Sequence, residues 1–354
     1  MTLSGSLCGH PTSLLESSAQ PRPTVAFLLP PDMFELIYGQ ECTEAIAAQA
    51  RVITPHPLGP AQLSSLAPGA LADVEAVFTG WNSPLFDESL LQQLPRLRTV
   101  FHGAGSIRPY VTDAFWRRNI AITTAAIANA IPVAEYTLGA ILLSLKQAWR
   151  LSRQTRETRA FPNSLPAVKG ACGATIGLVS LGLIGQEVLK RLRSFDVEVI
   201  VYDPYLTTAR SAEFEVESVS MVELMARSDV VSLHSPLNTE TQGFITGELL
   251  AHLKPGATFI NTARGAIVNE PELIAFLRNR PDVQAILDVT SPEPPPADSP
   301  LYDLPNVFLT PHIAGSLGQE CRRMGWTMVE EFDRHQRGEP LQYPLSRERA
   351  LQQT

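Results

Sequence analysis

The sequence predicts an α/β fold of two domains, each a doubly wound parallel sheet. Short apolar runs of strand length alternate with helix-periodic segments along nearly all of the chain, the pattern of consecutive βα units. One stretch, residues 174–204, reads as strand, tight turn, helix and second strand without interruption. Glycine, acidic, histidine or threonine residues stand where successive strands end, at Gly103, Asp203, His234, Thr262, Asp288 and His312. In an open parallel sheet that edge faces the ligand crevice, so residues far apart in sequence meet there.

In chain order, a strand over 24–29 (TVAFLL) is closed by Pro30 and Pro31. A helix over 34–50, a strand over 51–54 and a helix over 63–71 follow. Strands over 76–79, 98–102 and 120–123 alternate with helices over 87–94 and 115–119, and the second of these strands opens into Gly103, Ala104 and Gly105. A long helix over 132–159 comes next. Its first half is apolar nearly all round, which implies burial between domains or subunits. Its second half is arginine-rich, and Pro162 and Pro166 end it. Beyond residue 204, helices over 221–226, 248–253 and 271–278 alternate with strands over 230–234, 258–262 and 285–289. Residues 291–300 make a proline-rich loop, 307–310 the last strand and 317–337 a closing helix.

Within 174–204, residues 174–179 (ATIGLV) suit a strand buried on both faces. Ser180, Gly182, Leu183, Ile184 and Gly185 turn the chain into a helix whose apolar positions Val188, Leu189, Leu192 and Phe195 recur at helical spacing. Residues 197–202 (VEVIVY) form the next strand and Asp203 ends it. Such a turn offers backbone N–H groups, at the positive end of the helix dipole, to a cofactor pyrophosphate. Asp203, 18 residues after Gly185, is placed to accept from the adenosine ribose hydroxyls. It would repel a 2′-phosphate, residues 204–208 hold no cation, and Arg210 is farther along, so NAD is expected over NADP. Ser180 stands where the G-x-G-x-x-G fingerprint has its first glycine; its Cβ and hydroxyl are expected to crowd the turn and weaken NAD binding. The bland alternative is a glycine-bearing turn that packs a helix and binds nothing. The strand before, the helix after and the acid ending the next strand weigh against it.

Composition narrows the class. A length of 354 residues accommodates two domains with sizeable cores. The net charge of −8 gives no support to nucleic-acid binding. Cys8, Cys42, Cys172 and Cys321 are scattered without a C-x-x-C pair, as free thiols of a reducing compartment would be, and neither they nor any His, Asp or Glu grouping suggests a metal. No apolar run reads as a membrane span. Residues 1–22 lack a basic segment followed by an apolar one and read as a disordered leader. The expected location is cytoplasmic.

Three strand-end segments carry reactive groups: N-T-A-R-G at 261–265, D-V-T-S-P-E-P at 288–294 and T-P-H-I-A-G-S at 310–316. They offer one guanidinium (Arg264), one carboxylate (Glu293) and one imidazole (His312). Reduction of a 2-keto acid needs hydride on the carbonyl carbon, a proton on its oxygen and a cation for the carboxylate. Arginine suits the carboxylate because its fork binds two oxygens. Histidine suits proton transfer because its ordinary pKa lies near neutrality, and a carboxylate beside it favours the imidazolium. Taken singly, each has a duller reading: a surface ion pair, a solvated loop acid, a structural histidine.

Taken together and in this order, the segments resemble those of the D-isomer-specific 2-hydroxyacid dehydrogenases, a family that includes phosphoglycerate, glycerate, D-lactate and formate dehydrogenases. The resemblance covers residues 76–336, with Glu293 29 residues after Arg264 and His312 19 after Glu293. H-S-P-L-N at 234–238 and N-A-I-P-V-A-E-Y at 129–136 also look like family segments. The resemblance implies a Rossmann-type nucleotide domain (129–315) inserted in a flavodoxin-like substrate domain (23–128 plus 316–354). Arg264 would bind and polarise substrate, Glu293 orient His312, and His312 act as acid/base. His234, Ser235, Pro236, Thr241 and Gly315 would border the cofactor, with Arg264 and His312 near it. Asp288 would fix the nicotinamide carboxamide, and Thr262 and Ala263 line the same ring. N–H groups of Gly103, Ala104 and Gly105 would grip the substrate carboxylate. After Gly105 the family usually has an Asp/Asn-rich turn. Here Ser106, Ile107 and Arg108 follow, and the added cation predicts a substrate with a second anionic group or an unusual tail. Glu293 argues against the formate branch, which is expected to carry glutamine there. A homodimer is also implied. The alternative is an NAD-sensing, corepressor-like binding protein, since such relatives can keep the triad.

Overall fold

The computed structural model describes residues 22–54, 56–162, 165 and 168–352. The leader expected over 1–22 lies, apart from Arg22, outside the described residues, as does Pro166. Five strands form a parallel sheet: β1 (Thr24–Phe27), β2 (Arg51–Val52), β3 (Ala76–Thr79), β4 (Thr99–His102) and β5 (Ala121–Thr124), in the order β2-β1-β3-β4-β5. Seven more form a second parallel sheet: β6 (Ala174–Val179), β7 (Val197–Tyr202), β8 (Glu217–Ser218), β9 (Val230–Leu233), β10 (Thr258–Asn261), β11 (Gln284–Leu287) and β12 (Val307–Leu309), in the order β12-β11-β10-β9-β6-β7-β8. Both are doubly wound, as expected. In the second sheet the winding reverses between β6 and β9, so a crevice opens beyond the ends of those two strands.

Burial explains the strand sequences. β1, β3, β4, β6, β9 and β10 are buried at every residue, which a sheet covered on both faces requires. The first core centres on Phe27, Phe78 and Phe101. Phe332, from helix Gln319–Gln336, stands edge-on to Phe78 and Phe101 at centroid distances of 5.3 and 5.4 Å. The end of the chain thus returns to the sheet that its beginning built. From the same helix, the buried carboxylate of Glu331 accepts from the Thr123 hydroxyl at 2.6 Å and from the Gln342 N–H at 2.8 Å, fastening the last segment to β5.

Several helices depart from expectation. The helix expected over 34–50 is two, Pro31–Ile37 and Gly39–Ala47. They break at Gly39, whose φ of +51° suits glycine, with the Arg322 guanidinium where a Cβ would lie. The helix expected over 132–159 is also two, Ala126–Leu145 and Ala148–Thr158, parted at Gln147, φ +49°. It starts six residues early and carries Pro132 inside it. By length and composition Ala126–Leu145 is apolar enough to cross a bilayer, contrary to the sequence reading. Its Glu135 pairs with Arg191 at 3.3 Å and its Asn129 bonds Ser316. Helix Thr208–Glu213, edge strand β8 and helix Arg347–Gln352 had no sequence expectation; each is short and weakly patterned.

Three strand ends hold unusual residues. Ser180, after β6, has φ +77°, a left-handed conformation that favours glycine. His102, ending β4, is buried: Nε2–H donates to the Ser106 carbonyl at 3.2 Å, so Nδ1 accepts from the Thr79 hydroxyl at 2.9 Å. This neutral ring holds the loop after β4. His234, after β9, is also buried, and both its ring nitrogens lack a partner among the described residues. Burial lowers both histidines from 6.5 to about 4.

Two expectations follow. Ser180→Gly removes a Cβ from a left-handed position and should stabilise the fold by about 1 kcal/mol in thermal denaturation; a loss would mean that the 3.4 Å Ser180 Oγ–Asp203 contact outweighs the strain. For the histidines, the folded pKa lies below the unfolded one, so between pH 6.5 and 4 the unfolded chain binds more protons and stability falls as pH falls. Each should cost about 2 kcal/mol at pH 5 relative to pH 7. Urea denaturation with equal stability at the two pH values would contradict this burial.

Candidate active site

The dinucleotide turn follows from three glycine-type positions. Gly185 allows helix Leu183–Leu192 to pack on the turn, because a Cβ there would strike the Ser180 carbonyl. A Cβ on Gly182 would meet nothing within 4 Å, so the backbone at the helix N-terminus stays open to an approaching group. That helix has no side-chain cap, and its first N–H groups, including those of Leu183 and Ile184, lack intrahelical acceptors. The third position is Ser180. Asp203 fastens the backbone on both sides: Oδ2 accepts from Leu181 N–H and Oδ1 from Tyr205 N–H, both at 2.8 Å. The acid expected to read the ribose also pins the turn.

His234 opens the loop after β9, with Ser235 buried beside it and Pro236 next. Its two unpartnered nitrogens mark a buried polar group that a ligand can satisfy. Open space at Gly182, the uncapped helix and this imidazole together fit a dinucleotide. Thr241 is turned inward instead. Its hydroxyl donates to Pro236 O at 2.5 Å and accepts from Asn238 N–H at 2.9 Å, so it shapes this loop, a local use that its position did not reveal.

After β10, Asn261 builds the turn that presents Thr262, Ala263 and Arg264. Its Oδ1 accepts from Ala263 N–H at 3.0 Å and its Nδ2 donates to Arg264 O at 3.1 Å, an Asx arrangement. The buried Thr262 hydroxyl lies 3.3 Å from that of Thr137. Gly265 is required because a Cβ would overlap the Thr290 backbone. The partly buried Arg264 guanidinium donates to Ala263 O at 2.6 Å and has no hydrogen-bonded carboxylate among the described residues. Burial lowers its pKa, against the opposing charge of Glu293.

The His312 turn hangs on Asp288, which is 2% exposed. Oδ1 accepts from the Thr310 hydroxyl at 2.7 Å and Ile313 N–H at 2.8 Å, and Oδ2 from Ala314 N–H at 2.9 Å. The carboxylate expected at the nicotinamide is therefore engaged in fixing the turn. The Tyr136 hydroxyl extends this network to Thr310 at 2.8 Å. His312 takes φ +54° and meets Glu293 Oε1 through Nδ1 at 2.6 Å. Asn129 joins the two crossings between the sheets: its Oδ1 accepts from Ser316 N–H at 2.9 Å, and a Cβ on Gly315 or Gly105 would lie 3.5 or 3.8 Å from its amide.

The glycine loop after β4 departs from expectation. Gly103 N–H donates to Thr79 O and Ala104 N–H to His102 O, each at 2.8 Å. Of the three N–H groups expected to grip a carboxylate, only that of Gly105 has no acceptor among the described residues. Arg108 reaches across to the second sheet's loops, where Nη1 donates to Leu237 O at 2.6 Å. No carboxylate pairs with it among the described residues. Asn261, Asn129, Thr310 and Tyr136 were missed as supporting residues; all four lie inside the quoted segments, and the Asx-forming position of Asn261 was the readable signal.

Comparison with known proteins places this geometry. Residues 138–314 match the model for "D-isomer specific 2-hydroxyacid dehydrogenase, NAD binding domain". The chain is 35% identical over 254 residues to an (S)-sulfolactate dehydrogenase of Chromohalobacter salexigens, covering 72% of this chain and 82% of that one. It is 34% identical over 244 residues to a D-3-phosphoglycerate dehydrogenase of Mycobacterium tuberculosis, covering 69% of this chain and 46% of that one. It thus spans about half the length of that relative. Among solved structures, a phosphoglycerate oxidoreductase from Rhizobium etli superposes with a TM-score of 0.77 at 24% identity, covering 92% of this chain and 99% of that one, a likeness of fold. By the match over half its length and by its identity to these relatives, the chain belongs to the D-isomer-specific 2-hydroxyacid dehydrogenase family.

Proposed function

We propose that the protein is an NAD-dependent oxidoreductase interconverting a D-2-hydroxy acid and its 2-keto acid. The observation that carries this reading is the 2.6 Å contact between His312 Nδ1 and Glu293 Oε1, on the crevice edge that also bears Arg264. The cofactor, when bound, supplies or takes the hydride. Glu293 accepts a hydrogen bond from Nδ1–H, which fixes ring and tautomer and leaves Nε2 to exchange a proton with the substrate oxygen. Arg264 keeps N–H donors beyond the one on Ala263 O for a carboxylate, and Gly105 N–H adds another. The comparisons give the corepressor alternative no support.

Arg108 supports a second anionic group on the substrate. Its guanidinium is exposed at the cleft, unpaired with any described carboxylate. Phosphoglycerate and sulfolactate, which name two relatives, each carry such a group. The protein is also read as a cytoplasmic homodimer. Cys42, Cys172 and Cys321 are free thiols, which suits a reducing compartment. Only 44% of the apolar window of helix Ala126–Leu145 is buried, and Leu143 is 48% exposed, a face a second copy would cover.

An NADH-oxidation panel of mono- and dianionic 2-keto acids tests the chemistry. His312→Ala should lower turnover roughly 10²–10⁴-fold with NADH binding retained, and Arg108→Ala should lose activity selectively on dianionic substrates. No turnover by the wild type on any 2-keto acid would sink the reading. Sedimentation velocity should show a dimer that Leu143→Asp weakens; a wild-type monomer at micromolar concentration would contradict the assembly.

A further inference from the structure

The nucleotide-facing edge of the second sheet holds one carboxylate more than the sequence fingerprint calls for. Asp203, after β7, binds the backbone of Tyr205. The Tyr205 ring stands out from the surface, 69% exposed, and its hydroxyl donates to Glu240 Oε2 at 3.2 Å. Glu240 belongs to the loop after β9, and its N–H is held by Asn238 Oδ1 at 2.9 Å. β7 and β9 flank β6 on its two sides. Tyr205 therefore bridges the two walls of the crevice into which the turn after β6 opens. Neither Asp203 nor Glu240 forms an ion pair among the described residues, and both carboxylates raise the Tyr205 hydroxyl above its usual pKa, Glu240 more strongly. Arg210, the nearest cation downstream, is drawn aside over the Phe214 ring at 5.3 Å. The unpartnered, buried His234, six residues before Glu240, independently marks this crevice as a ligand site.

We infer that Glu240 is a second determinant of cofactor choice, a carboxylate tethered by Tyr205 at the ribose end of the site that acts with Asp203 to exclude a 2′-phosphate. The inference rests on the dinucleotide reading of this site. A 2′-phosphate would bring nearly two negative charges toward two carboxylates that no cation neutralises. Either acid alone keeps part of that repulsion, so changing Asp203 alone leaves NAD preferred.

Calorimetric titration of the full chain with NADH and with NADPH tests this without requiring turnover. Glu240→Gln should leave NADH affinity within about twofold and raise NADPH affinity roughly fivefold, with a smaller gain at high ionic strength. The double variant Asp203→Asn/Glu240→Gln should gain more than either single one, and Tyr205→Phe, which releases Glu240, should lose part of the discrimination. An NADPH-to-NADH affinity ratio unchanged by Glu240→Gln, with NADH binding intact, overturns the role of Glu240 alone. Failure of the wild type to bind either dinucleotide overturns the dinucleotide reading along with it.

Discussion

The site depends on one buried carboxylate. Asp288 gathers a hydroxyl and two backbone N–H groups from residues 310–314, and in doing so fixes the path of the chain through His312. A left-handed backbone at a non-glycine residue costs energy and persists only where its surroundings over-determine it. Three acceptor contacts from one ion in a dry setting supply that, since hydrogen bonds to charged groups are the strong ones. The imidazole direction toward Glu293 is then a consequence of backbone geometry, and the Tyr136 hydroxyl carries the same network to the long apolar helix.

Around this anchor the site is divided by charge. The acids Asp203 and Glu240 stand beside the turn after β6, whereas the cations Arg264 and Arg108 stand after β10 and on the loop after β4. Neither arginine forms a salt bridge to a described carboxylate, although Glu293 is near enough for its charge to act on Arg264. A protein with a net charge of −8 repels anions at long range, so on the proposed reading these guanidinium groups would supply the local attraction an anionic substrate needs.

Much of this was legible in the sequence, for reasons that differ by residue. Strands buried on both faces announce themselves as apolar runs, and all but the two-residue edge strand β8 were found. The meeting of Glu293 and His312 was readable because the segments that carry them resemble, in that order, the segments of a known family. Helix breaks were not, because Gly39 and Gln147 break helices through left-handed backbone that composition does not encode. The local bonds of Asp288, Thr241 and Gly103 were also hidden: each residue bonds its own neighbourhood, and only three-dimensional closure shows a donor or acceptor already taken. Glu240 escaped because its partner Tyr205 comes from another strand end.

Asn129 has a mechanical consequence. The two chain crossings between the sheets are stapled to each other by its bond to Ser316, so neither can shift without straining the other. A Cβ on Gly105 would lie 3.8 Å from the same amide, so the loop after β4 borders this joint too. Any motion that widened the gap between the two sheets' loops would have to break the Arg108–Leu237 hydrogen bond, which spans it.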